Sequence, residues 1–114
     1  MRAVAQEVQA LRIDQQRLWD SLMDMAKIGA TAKGGSCRLA FSEEDTQGRR
    51  LLMQWCEALG CQMRVDEVGN LFIRREGSEP SLAPVSIGSH LDTQPKGGRF
   101  DGILGVLAGL EVFR

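Results

Sequence analysis

From Ile13 onward the apolar residues Leu18, Leu22, Met25 and Ala26 recur at helical spacing, with Asp14 in N-cap position and Gly29 just past the end. This pattern predicts a first helix. The stretch TAKGGSCRLAF holds adjacent glycines and short polar residues, which favour turns, and predicts a loop. Ser42 with Asp45 three residues on resembles a capping box. The apolar stripe Leu51, Leu52, Trp55 and Leu59 follows, with Gly60 where a left-handed C-cap belongs, so a second helix is predicted over 43–59.

Beyond Gly60 the period changes from helical to alternating. Met63 and Val65 alternate with polar residues, DEVGN supplies a turn, and NLFIRR reads as a second strand, so a hairpin is expected. Pro80 and Pro84 flank a polar connector, after which the β-branched run VSIGSH predicts a third strand leading to His90. After Gly97 and Gly98 the apolar residues Ile103, Leu104, Val106, Leu107, Leu110 and Phe113 return to helical spacing on more than one face, which predicts a buried helix over 102–114. The order ααβββα implies an α/β layer fold, without internal repeats.

Composition narrows the class. The chain of 114 residues, 43% apolar and 25% charged, suffices for one modest core, not two domains. With 14 basic against 15 acidic residues and no basic run, nucleic acid and anionic lipid are excluded as expected partners. The first dozen residues lack the apolar segment of a secretory signal, and nowhere do ~18 apolar residues run together, which predicts a soluble, cytoplasmic protein. Cys37, Cys56 and Cys61 have neither C-x-x-C nor zinc-ribbon spacing and are expected to be reduced, with Cys56 in the core.

The chemistry concentrates near the only histidine. In an extended strand residues i and i+2 share a face, so His90 and Asp92 point together and Ser89 and Leu91 point away. Asp101, after a glycine-rich loop, is placed to return towards His90. An imidazole and a carboxylate so arranged suit a divalent ion such as zinc, with Asp92 orienting the imidazole. The bland alternatives are a hydrogen-bonded structural histidine and an ordinary helix N-cap at Asp101. Gly97 to Gly102 has P-loop spacing, but Ile103 and Leu104 stand where the lysine and hydroxyl belong, and no G-x-G-x-x-G occurs.

The stretch GSHLDTQPKGGRFDGILGVLAGLE, residues 88–111, resembles the first metal motif of the dinuclear zinc amidohydrolases related to aminoacylases and carboxypeptidases. Gln94-Pro95 followed by Gly97-Gly98, Phe100, Asp101 and Gly102 is closer to the carbamoylase branch, which comprises N-carbamoyl-L-amino-acid hydrolase, β-ureidopropionase and allantoate amidohydrolase. IDQQRLWDSLM, IGATAKGGSCRLAFSEED and WCEALGCQMRVDEVGNLFIRR are similar to that family's opening segment.

The resemblance implies the N-terminal part of a zinc-exopeptidase-like catalytic domain, residues 13–114 behind an arm of 1–12, with a mixed sheet flanked by helices. It makes His90 a ligand of one metal, Asp101 the carboxylate bridging both, Asp92 the residue holding a ligand imidazole, and Asp101–Gly102 a candidate cis peptide. Two divalent ions are implied, zinc first, with manganese, cobalt or nickel as alternatives. The implied activity is hydrolysis of a non-peptide C–N bond in a small N-carbamoyl or ureido acid, by a homodimeric full-length enzyme. The family's general-base glutamate, remaining ligands and lid domain lie after the motif, so the chain reads as a piece that is inactive alone. Alternatives are an aminoacylase or exopeptidase of the same superfamily, or a non-catalytic remnant acting as a binding module.

Overall fold

The computed structural model describes residues 10–114; most of the expected N-terminal arm, residues 1–9, lies outside the described residues. Helix α1 spans Gln15–Ala26 and starts where Asp14 accepts a hydrogen bond from the Arg17 amide at 2.9 Å. Its N-terminus is closed from elsewhere in the chain. The carboxylate of Glu111, itself buried, accepts from the Asp14 amide at 3.1 Å and from the Arg17 guanidinium at 2.6 Å, which places an anion at the positive end of the helix.

Helix α2, Glu43–Glu57, shows reciprocal capping offset by one residue: the Asp45 amide donates to Ser42 Oγ at 3.2 Å, and the Asp45 carboxylate accepts from the Phe41 amide at 3.0 Å. It ends before 59 in a turn closed by Gly60 at φ 72°.

Strands β1, Gln62–Val65, and β2, Leu71–Arg74, pair antiparallel with Met63 opposite Ile73 and Arg64 opposite Phe72. The turn between them is built on Asp66, whose carboxylate accepts from the amides of Val68 and Asn70 and from the Asn70 side chain. Helix α3, Ile103–Phe113, packs against α1. The core joins Leu22 and Met25 of α1, Leu52 and Cys56 of α2, Cys61, Leu91, and Ile103, Leu107 and Leu110 of α3. Burial pushes the Cys56 thiol up to about 11, aided by neighbouring Cys61, which keeps it protonated and inert.

The α/β class holds, but the sheet differs from the expected mixed one. Among the described residues it is a single two-stranded antiparallel hairpin, and 85–90 joins no ladder. Its apolar members are open, Val85 at 96% and Ile87 at 58% exposure. A β-branched run forms a strand where another strand offers backbone partners, and among the described residues none lies alongside this one.

What the segment does have is a helix beneath it. A Cβ on Gly109 would meet Ile87, one on Gly105 would meet Ser89 at 2.8 Å, and one on Gly102 would meet His90 at 2.4 Å. The segment therefore lies antiparallel along a glycine face of α3. Seven helical residues rise about 10.5 Å, and three extended residues span about 10 Å, so this register requires 87–90 to be extended.

Candidate metal centre

Burial along residues 90–93 alternates: Leu91 and Thr93 are buried, whereas His90 and Asp92 face outward. This period of two is the geometry on which the pairing of His90 with Asp92 rested. His90 Nδ1 donates to the main-chain oxygen of Asp92 at 2.9 Å, and an Asp92 carboxylate oxygen stands at 3.5 Å. The ring is thus steered more closely by the carbonyl of Asp92 than by its side chain. A carbonyl only accepts, so Nδ1 carries a proton, and in the neutral form of a ring so held the lone pair is on Nε2.

That lone pair faces Asp101, whose Oδ2 lies 3.7 Å from Nε2. Asp101 is not a helix cap: Gly102 occupies the N-cap position of α3, with no side-chain capping bond. The carboxylate is 80% exposed and free of the bland role that its position suggested. Two acceptors facing each other need a proton or a cation between them. His90, Asp92, Thr93, Gln94 and Asp101 line one open pocket of about 320 Å³.

Gly102 makes the approach of the two side chains possible. Its φ is 73°, a region glycine enters freely, and a side chain there would strike the His90 ring and carbonyl. The expected cis Asp101–Gly102 bond is absent: among the described residues every peptide bond is trans. The corner is made by the positive φ of Gly102, which glycine adopts without the ~3–4 kcal/mol of a cis non-proline bond.

The spacing of His90 Nε2 and Asp101 Oδ2 is compatible with two donors to one ion. Ligands about 2.0–2.1 Å from one ion at a tetrahedral angle stand about 3.4 Å apart, close to the observed separation. No group of three His, Cys, Asp or Glu able to hold a metal occurs among the described residues. His90 and Asp101 are thus fewer than the about three protein ligands that a catalytic zinc takes.

The chain's likeness to known proteins runs along this architecture. A crystal structure of a hydantoinase/carbamoylase family amidase from Burkholderia ambifaria matches with a TM-score of 0.88 and 62% identity, over 90% of this chain and 25% of that one. This chain is similar to hydantoinase/carbamoylase family amidases over about a quarter of their length. An N-carbamoyl-L-amino-acid amidohydrolase of Rhizobium meliloti is 55% identical over 103 residues, 90% of this chain and 25% of the relative. A ureidoglycolate hydrolase of Oryza sativa subsp. japonica is 37% identical over 102 residues, 90% of this chain and 21% of the relative. The chain thus spans about a quarter of the length of the family members it matches. No family model matches it.

Three features of the structure are absent from the expectations drawn on the sequence, although the first left a signal there. The face formed by Gly102, Gly105 and Gly109 was legible as i, i+3, i+7 spacing on one side of a helix. Thr93, buried, accepts from the Arg38 amide at 2.7 Å, and its own amide donates to Arg38 O at 2.7 Å. Arg38 itself lies in a loop without periodicity, where nothing in the sequence marks it as buried.

Proposed function

We propose that this sequence forms the metal-binding opening portion of an amidohydrolase that cleaves a non-peptide C–N bond in small N-carbamoyl or ureido acids. The observation carrying the reading is His90 Nε2 standing 3.7 Å from the carboxylate of Asp101 while Nδ1 is engaged by the Asp92 carbonyl. Kinship with N-carbamoyl-L-amino-acid amidohydrolases and ureidoglycolate hydrolases supports the substrate class.

In this reading His90 offers Nε2 to one ion, Asp101 bridges two, and Asp92 holds the Nδ1 proton and so the ring's tautomer. Zinc is the first choice of metal, with manganese, cobalt or nickel as alternatives. Bound divalent ions would supply polarisation of the carbonyl oxygen and acidification of the attacking water. This chain offers two donors, whereas a catalytic zinc takes about three protein ligands plus an open position, so turnover requires groups beyond it. Among the described residues no helix is long and apolar enough to cross a membrane, and a cytoplasmic setting rests on the sequence reading alone. A homodimeric whole enzyme rests on the family resemblance alone.

The test is a chimera in which this chain replaces the matching quarter of the Rhizobium meliloti relative. Release of ammonia from N-carbamoyl-L-amino acids, with no cleavage of N-acyl amino acids or dipeptides, is expected. Preference for the latter would favour the aminoacylase or exopeptidase alternative. A folded, inactive chimera would favour the non-catalytic remnant.

A further inference from the structure

Arg38 is 1% exposed, yet no carboxylate pairs with it among the described residues. Its guanidinium donates only to main-chain oxygens: Leu91 O at 2.9 Å from Nε, and Ile28 O at 2.7 Å and Met25 O at 3.3 Å from one terminal nitrogen. Burial lowers its pKa, against the opposing charges of Asp45 and Asp92. Helix α2 is thinned to admit its stem, since a Cβ on Gly48 would lie 2.9 Å from Arg38 Cδ. Burying a cation this way is expensive, and an apolar side chain would fill the space at less cost.

What the arrangement accomplishes lies around Asp92. The Arg38 side chain grips the carbonyl of residue 91, and the Arg38 backbone grips residue 93 in both directions. The peptide planes on either side of Asp92 are thereby fixed, and with them the direction of the Asp92 carbonyl that receives the His90 Nδ1 proton. Through Met25 and Ile28 the same guanidinium ties this loop to the end of α1 and the turn that follows it.

We propose that Arg38 is a positioning residue for the candidate metal centre: by clamping both neighbours of Asp92 it locks His90 in the Nδ1–H tautomer, with Nε2 bare towards Asp101. The proposal rests on the metal-ligand reading only for the purpose of that orientation, since the tautomer is a property of the metal-free chain.

The test uses the chain's only histidine as a reporter. In metal-free, ¹⁵N-labelled 114-residue chain, above the ordinary imidazole pKa of about 6.5, long-range nitrogen–proton spectra give the tautomer ratio. The wild-type chain is expected to favour Nδ1–H by about tenfold, as one hydrogen bond of ordinary net strength provides. Arg38→Met should bring the ratio to within about twofold of unity or invert it, and Arg38→Lys, which keeps charge but not the fork, should lose part of the preference. Each variant is measured well below its own unfolding midpoint. A purely structural role would lower the midpoint and leave the ratio alone, and a retained tenfold preference in folded Arg38→Met would overturn the proposal.

If neither variant folds, the wild-type chain decides. Scalar coupling between the Arg38 Nε–H group and the Leu91 carbonyl carbon, with slowed exchange of that proton, is expected. Exchange as fast as that of a solvent-exposed arginine would refute the clamp. Zinc tests the other reading separately, in the chimera that supplies the remaining ligands: a His90 Nε2 resonance untouched by Zn²⁺ there, alongside an intact tautomer lock in the 114-residue chain, would refute the metal assignment and leave the clamp standing.

Discussion

Two parts of the molecule are held in opposite ways. The stretch from Ser42 to Arg74 is organised by neighbours in sequence: Ser42 caps α2, Gly60 turns the chain, and Asp66 gathers the amides of a turn that sets the β1–β2 register. Among the described residues the stretch from Val85 to Gly102 has no ladder of its own, and distant groups hold it: a glycine face of α3 beneath, and Arg38, bonded to Leu91 and Thr93, from the side. The candidate chemistry lies in the second part. Side chains fixed by long-range contacts meet in geometries that local hydrogen-bonding rules do not produce, and each such contact becomes a point at which one substitution disperses the group.

The sharpest break should come at Gly102. Gly102→Ala combines a positive φ, which costs a residue with a side chain about 1–2 kcal/mol, with overpacking against His90, typically about 1–3 kcal/mol. Urea unfolding should therefore show a loss of about 2–5 kcal/mol. Gly60→Ala separates the two effects, because φ there is 72° and nothing lies within 4 Å of the added Cβ; it should lose only the conformational part. Equal losses at the two sites would mean that the helix does not press on the histidine.

A smaller effect is expected from acid. The Arg17 hydrogen bonds hold the Glu111 carboxyl below its ordinary 4.5, so the folded state binds its proton less readily than the unfolded chain does. The stabilisation is complete above the unfolded value and is lost as pH falls through the lower folded one. Denaturant midpoints should drop below about pH 4.5, and Glu111→Gln should flatten that limb. A limb unchanged in Glu111→Gln would assign it to other carboxylates.

The local region should answer more mildly and without reaching the site. Ser42→Ala removes the α2 cap and should cost about 0.5–2 kcal/mol, with the His90 resonances unmoved. Altered His90 spectra in that variant would show that the two regions are coupled. Smallest of all, Gly88→Ala adds a Cβ to open space at ordinary backbone angles, and a change within about 0.5 kcal/mol is expected. A large loss there would show that the extended segment needs a freedom its geometry does not reveal.

The same contrast explains what the sequence discloses. The Asp14 and Ser42 caps, the hairpin turn at Asp66 and the buried Cys56 follow from rules acting over a few residues, and all are where the pattern puts them. The pairing of His90 with Asp92 is legible too, since it needs only period two. The missing ladder at 85–90 is not, because pairing depends on which strands lie alongside. Nor is Arg38, whose burial arises where α1, α2 and the 91–93 loop converge, a meeting without local signature. The trans link at 101–102 turned on whether the positive φ of Gly102 alone could make the corner, which the motif leaves open.

The central claim is that His90 and Asp101 are metal donors while Asp92 acts through the imidazole. Metal content of the purified chimera, measured by mass spectrometry on variants shown to be folded, tests it most directly. His90→Ala and Asp101→Ala should be depleted of metal, whereas Asp92→Asn should keep a fraction that excess metal raises, in line with the ~10–100-fold losses typical of residues that support a ligand. Full metal occupancy in Asp101→Ala would contradict the account.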